Sequence, residues 1–319
     1  MGRPIYLDCD TGIDDSLAIA YLMAHPDVEL VGVGTVFGNI DAHRAARNTL
    51  DVLALGSHQH VPVAVGAEKP LAGRWHGGPA HIHGANGVGD VELPRSPGEP
   101  DGNAVDLLIR LARRHEGQLR LLAIGPLTNL ARALEVEPAL PSLVESVVIM
   151  GGAAKAPGNV TPVAEANIFN DPEAADRVLS TDWPLTLVTL DVSMEHVLEE
   201  ADRTVLLSAD KALPRALGEM LDVYFTFYVE GFGRRCSPLH DPLAAAIAAG
   251  GATPLMAPTV QVVIDATDGP ARGQTICDLR GERVGYPAQP GARCRVVLAL
   301  DASFAPRLVE QLTTAPQFR

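Results

Sequence analysis

Short runs of β-branched residues alternate along this chain with Ala/Leu-rich amphipathic stretches, and that alternation limits the possible folds more than any other feature. Ile5 to Cys9, Leu30 to Thr35, Val61 to Val65, Leu119 to Ile124, Ser146 to Met150 and Leu185 to Leu190 read as strands. Between them, Asp14 to Ala24, His43 to Leu55, Ala104 to Arg114, Leu127 to Glu135 and Pro172 to Leu179 carry the apolar spacing of helices. Strands joined through helices pair in parallel, because a parallel neighbour is reached only by a crossover. The expectation is an α/β fold with an open, mostly parallel sheet flanked by helices. After Val260 the chain turns β-rich, over Val260 to Ile264, Thr275 to Asp278 and Arg293 to Leu300. No compositional break separates these segments from the rest, so residues 1–319 read as one domain.

Charge narrows the partners. With 25 Lys+Arg against 39 Asp+Glu the formal charge is −14, and phosphate neutralisation needs a basic stripe that such a chain lacks, so no nucleic-acid partner is expected. Apolar residues at 47% suffice for a large core. Cys9, Cys236, Cys277 and Cys294 stand far apart with no C-x-x-C spacing, which points to neither a zinc site nor a disulfide framework and suits the reducing cytoplasm. The opening MGRPIYLDCD enters a strand directly and has no apolar signal segment. The Ala-rich stretch from Pro242 to Pro258 is broken by Gly250, Gly251 and Pro254, short of the roughly 20 apolar residues of a membrane span. Asn159-Val160-Thr161 matches a glycosylation acceptor, which without a signal peptide is read as chance.

Ligands of open α/β sheets collect where strands end and helices begin. At the first such junction stands Asp8-Cys9-Asp10-Thr11-Gly12-Ile13-Asp14-Asp15. Strand alternation puts Asp8 and Asp10 on one face, and Asp14 and Asp15 open the next helix, so the four acids are expected to converge. Like charges at that density repel, and a hard cation with oxygen ligands, Ca²⁺ or Mg²⁺, removes the repulsion. The structural alternative is that Asp14 and Asp15 only complement the helix dipole while Asp8 makes a structural hydrogen bond. An EF-hand loop is ruled out by Gly12 at its fifth position. An aspartate-nucleophile phosphatase also begins with a hydrophobic strand and D-x-D.

Toward the other end, Pro238-Leu239-His240-Asp241-Pro242-Leu243 places an imidazole beside a carboxylate, ahead of an Ala-rich helix. Five aromatic residues, Tyr224, Phe225, Phe227, Tyr228 and Phe232, precede it within an otherwise irregular zone after Met220; rings at that density can hold a planar ligand by stacking, or, since 224, 228 and 225, 232 have helical spacing, form an aromatic core helix. Gly125-Pro126 after Ile124 leaves a backbone carbonyl free as an oxygen ligand. Asn39 after Phe37-Gly38, Met150 before Gly151-Gly152, and Asn159, Glu165 and Asn167 in the next loop are polar tips suited to a polyhydroxyl substrate or to plain turn chemistry. Gly73 to Gly102, long and without periodicity, reads as a loop over the site.

Together these segments resemble the nucleoside hydrolases of the inosine-uridine-preferring type, along essentially the whole chain. The matching pieces, in order, are DCDTGIDD, Gly38-Asn39, His83-Gly84 with Gly87, GPLTNLA from Gly125, MGGA from Met150, the Asn159 to Asn167 loop, Asp171-Pro172-Glu173-Ala174-Ala175 and His240-Asp241-Pro242-Leu243-Ala244. The phosphatase lacks a downstream Lys and acidic pair in matching context. The resemblance implies a Rossmann-like core and a Ca²⁺ held by Asp10, Asp15, Asp241 and the carbonyl of Ile124. It further implies Asp10 as general base on a water, Asp14 and Asn167 on the ribose hydroxyls, and Asn159 and Glu165 on the 5′ side. His240 would protonate the departing base, His83 and Tyr228 would line its pocket, and Asn39 and Met150 would complete the substrate contacts. Relatives of this type are dimers or tetramers.

Three departures bear on substrate range. The family's DPG is Asp10-Thr11-Gly12 here, its EFN is Glu165-Ala166-Asn167, and its HG-x-D-G is His83-Gly84-Ala85-Asn86-Gly87. The second removes an aromatic wall near the sugar. Independently of the resemblance, N-glycoside cleavage needs stabilisation of an oxocarbenium-like sugar, an activated water and leaving-group help, and this set of residue types can supply all three. The expected activity is hydrolysis of a purine or pyrimidine ribonucleoside. A non-nucleobase riboside and a calcium-dependent nucleoside-binding protein without turnover are the alternatives.

Overall fold

The computed structural model describes residues 2–301 and 304–318; of the span read as one domain, positions 1, 302, 303 and 319 lie outside it. Strands β1 (Arg3–Cys9), β2 (Val28–Thr35), β3 (Val63–Val65), β4 (Leu119–Ala123), β5 (Val144–Met150) and β6 (Leu185–Val188) alternate with helices that include α1 (Ile13–Ala24), α2 (Ala42–Leu55), α3 (Ala80–His83), α4 (Ala104–Arg114) and α5 (Thr128–Val136). The main sheet has eight strands in the order Thr259–Val260, Cys294–Val297, β6, β5, β4, β1, β2, β3. Every pairing is parallel except that of the edge strand Thr259–Val260.

The chain builds outward from β1 through β2 to β3, then returns to lay β4 on the opposite side of β1. The strand order therefore reverses between β1 and β4, and a crevice opens at their carboxyl ends. Register brings Asp8 of β1 level with Ala123 of β4 and with Gly34 of β2, so the segments that begin at Asp10 and Ile124 leave the sheet side by side. Helix α1 is buried at every position and packs on the Ala-rich helix His240–Ala249. Small side chains along that second helix let the two axes approach.

Several elements differ from the sequence reading. β3 starts at Val63, and β6 ends at Val188, where Thr189 turns the chain into the short helix Leu190–Ser193. The run Val260 to Ile264 is split at Gln261, whose backbone N–H and side-chain amide bond to Gln289 and Pro290; Val262–Ile264 then pairs with Thr275–Cys277 in a separate ribbon. Val297 likewise ends the main-sheet strand, and Ala299–Leu300 pairs with Pro254–Met256. The zone after Met220 is not irregular. Helix Ala212–Phe232 runs through it and stops at Gly233 in the left-handed conformation, φ 65°, because the aromatic residues there sit at helical spacing on a packed face. The segment from Gly73 to Gly102 does lack strands and carries only α3. Among the described residues no helix is long and apolar enough to cross a membrane.

Candidate active site

The acidic run divides into two groups. Asp8 lies below the tip: Asn129 Nδ2 donates to both its oxygens, at 3.2 and 3.1 Å, and the Tyr6 hydroxyl is 3.2 Å from Oδ2. Burial lifts its carboxyl to about 7 even though those two partners favour the charged form. This is the structural hydrogen-bonding role, so Asp8 does not converge with the other three.

Asp10, Asp14 and Asp15 meet Asp241, the first-turn acid of His240–Ala249. One carboxylate oxygen from each of Asp14, Asp15 and Asp241 lies within 4.8 Å of the others. Asp15 accepts the backbone N–H of Gly12 at 2.7 Å and of Asp10 at 3.2 Å. Asp10 is drawn beside it by Asn39, whose backbone and side-chain N–H groups donate to its two oxygens at 2.7 and 3.2 Å. A side chain at Gly38 would collide with the Asp10 carboxylate, so this approach depends on glycine. Tyr224 donates its hydroxyl to Asp14 Oδ2 at 3.0 Å, while Asp14 Oδ1 is buried without a hydrogen-bond partner, 4.0 Å from His83 Nδ1.

All four acids are raised above the usual carboxylate range, Asp10 and Asp241 well above it. Burial is the main cause for each, followed by a neighbouring acid for Asp10, Asp15 and Asp241, with Asp15 reaching about 7. For Asp14 the nearby His240 and Tyr224 oppose the burial effect. A buried cluster that resists ionisation, made only of oxygen donors and retaining one orphaned oxygen, fits a hard cation and not zinc, which asks for His or Cys. The closest triad differs from the expected ligand set: it includes Asp14, expected on the sugar, and leaves Asp10 with Asn39. The carbonyl of Ile124 stands at the β4 tip, where it accepts from Asn167 Nδ2 at 3.0 Å.

The remaining expected residues fall around this cluster in different ways. Asn167 also donates to the Met150 carbonyl at 3.1 Å, tying the tips of β4 and β5 together. Glu165 is buried and caps the helix Ala166–Asn170, accepting from Gly152, Asn167 and Ile168 N–H groups, so its carboxylate is occupied by backbone. Asn159 is exposed, and its side-chain oxygen accepts from Ala166 N–H. His83 closes α3, accepts the Ile13 N–H at 3.2 Å, and is pushed down to about 3 by burial.

His240 is 5% exposed and sits between two hydroxyls. Tyr228 Oη lies 3.0 Å from Nε2, and Ser193 Oγ lies 2.8 Å from Nδ1. Burial pushes the imidazole down to about 4, with Asp14 opposing the shift. The Tyr228 ring meets Tyr224, Phe227 and Phe232 edge-on at centroid distances of 5.1, 5.0 and 5.8 Å, and Phe227 meets His81. A wall of rings thus faces the acids from the long helix. Ser193 and Asn129 were missed as functional candidates, although both follow strand tips, at β6 and β4, where ligand-directed residues gather.

A cation-competent acid cluster at the switch point, opposite an imidazole and an aromatic wall, is the setting in which the following likenesses were found. Residues 5–305 match the family described as inosine-uridine preferring nucleoside hydrolase. The inosine-uridine preferring nucleoside hydrolase of Leishmania major is 35% identical over 307 residues, covering 94% of either chain. The pyrimidine-specific ribonucleoside hydrolase RihA of Shewanella sp. (strain MR-7) is 37% identical over 248 residues, 77% of either chain. Among solved structures, a purine-preferring ribonucleoside hydrolase from Gardnerella vaginalis superposes with a TM-score of 0.89 at 32% identity, over 99% of this chain and 98% of that one. The chain belongs to the inosine-uridine preferring nucleoside hydrolase family.

Proposed function

We infer that the protein hydrolyses the N-glycosidic bond of purine or pyrimidine ribonucleosides, giving ribose and the free base, with Ca²⁺ as its resident cation. The observation that carries this reading is a group of buried, mutually repelling acids beside His240, the chain neighbour of Asp241 and within electrostatic reach of Asp14. Asp15, Asp241, Asp10 and the Ile124 carbonyl would hold the ion. When bound, calcium neutralises the acids, orients sugar hydroxyls and acidifies water. The unpartnered Asp14 Oδ1 faces the ribose, and Asn167 steadies the tips on which the sugar rests. Asp10 takes the proton of the attacking water. The bonding pair of the cleaved C–N bond leaves with the base, and His240 supplies the proton that base needs. His83 and Tyr228 line the base pocket, Asn39 positions Asp10, and Glu165, Asn159 and Met150 shape the 5′ side. The four unbridged cysteines suit cytoplasm, and we expect a dimer or tetramer.

The decisive assay measures reducing sugar released from a panel of purine and pyrimidine ribosides. Turnover of at least one riboside is expected, with the matching 2′-deoxyriboside poorer by about 10⁴-fold, since a site built to bond a hydroxyl rejects its absence. No release from any riboside in the presence of calcium would defeat the reading.

A further inference from the structure

Ser193 has no place in the chemistry described so far, yet it is completely buried and its hydroxyl lies 2.8 Å from His240 Nδ1. The short helix Leu190–Ser193 that carries it is fixed at the tip of β6, where the Leu190 N–H donates to the Gly152 carbonyl. On the opposite edge of the ring, Nε2 is 3.0 Å from Tyr228 Oη, on the side of the aromatic wall. The two ring nitrogens therefore have distinct surroundings: Nδ1 faces the fixed hydroxyl of Ser193 in the interior, and Nε2 faces the Tyr228 hydroxyl at the aromatic wall. Where one nitrogen is bound by such a partner, that bond decides which nitrogen is free to exchange a proton.

We propose that Ser193 is a positioning residue for leaving-group protonation, its Oγ accepting the Nδ1–H of His240 so that only Nε2 trades a proton with the departing base. The inference rests on the role assigned to His240 above. In the resting ring Nδ1 carries the proton to Ser193, and the Tyr228 hydroxyl donates to Nε2. When Nε2 takes up a proton from solvent, the Tyr228 hydroxyl turns to accept from it and the Nδ1 bond to Ser193 is unchanged. As the C–N bond breaks and its electron pair moves onto the base nitrogen, the Nε2 proton follows to that nitrogen, returning the imidazole to its resting tautomer. Without the Ser193 acceptor, the neutral ring is free to hold its proton on Nε2 or to turn over. Orienting partners of functional histidines are worth about 10- to 100-fold.

The test compares wild type, Ser193→Ala and Ser193→Thr on a natural nucleoside and on p-nitrophenyl riboside, whose leaving group departs without a proton. Ser193→Ala should lose about 10- to 100-fold in kcat on the nucleoside and less than about twofold on the nitrophenyl substrate. Ser193→Thr, which keeps an oxygen at that position, should recover part of the nucleoside rate. Placed in a His240→Ala background, Ser193→Ala should cost nothing further on the nucleoside. Equal losses on both substrates, or an undiminished nucleoside rate in Ser193→Ala, would overturn the proposal. A wild-type protein that cleaves neither substrate would instead defeat the functional reading itself.

Discussion

Gly38 shows how one missing side chain sets the geometry of an acid. Its backbone passes so close to the Asp10 carboxylate that any Cβ would push the acid away, and Asn39, next in the chain, then grips that acid with two donors. Gly38→Ala should lower activity by about 100-fold, because displacement of a reacting group by an ångström costs that much, while circular dichroism remains that of the folded protein. Full activity in this variant would separate Asp10 from the chemistry. The motif around Asp10 was legible from sequence because its spacing is local. The division of labour within it was not: Asp8 turns away to Asn129, 121 positions further along the chain, and no pattern in eight residues records that contact.

Individual elements were readable where hydrophobic period and length agreed. β1, β2, β4 and β5, with the helices α1, α2 and α4, follow the expected runs closely, since each buries a continuous apolar face. The helix Ala212–Phe232 was obscured by Gly231 and by residues of modest helix propensity such as Thr226 and Tyr228, and tertiary packing overrode that weak local preference. At the strand tips a single side chain holds three elements together. Asn129, in the first turn of α5, donates to Asp8 of β1 and to the Thr35 carbonyl of β2, and accepts the Ala67 N–H beyond β3. Asn129→Ala leaves the buried Ala67 N–H unpaired and strips Asp8 of one of its two side-chain donors, while the Thr35 carbonyl keeps the Gly66 N–H; at about 1–3 kcal/mol for a buried group left unpaired, urea unfolding should show a loss of about 2 kcal/mol or more. A loss under about 1 kcal/mol would mean that the tips hold their positions without it.

For the molecule as a whole, acid pH should erode stability through the buried imidazole of His196. His196 is 5% exposed, and burial holds it below its ordinary value of 6.5 against the opposing pull of Glu195 and Asp301. Its folded pKa is depressed, so as pH falls through 6.5 the unfolded chain takes up a proton that the native chain refuses. The melting temperature should therefore drop more steeply between about pH 7 and pH 5 in wild type than in His196→Gln, read by calorimetry. Parallel slopes would show that His196 titrates alike in both states.

The packing of α1 on the helix His240–Ala249 also has a bearing on how the protein is made. Asp15 and Asp241 stand far apart in the sequence, so a ribosome delivers the first acids of the cluster long before the last. Until the late helix docks, Asp10, Asp14 and Asp15 are ordinary hydrated carboxylates on a nascent strand and helix. Bringing the two helices together is a non-local closure, which slows folding and follows synthesis of the late helix. An ion that binds only the assembled cluster would then act on that docking step alone, favouring chains that carry the late helix by mass action. Products cut short before that helix would have no way to retain the ion, and its capture would report that the late helix has been made and docked.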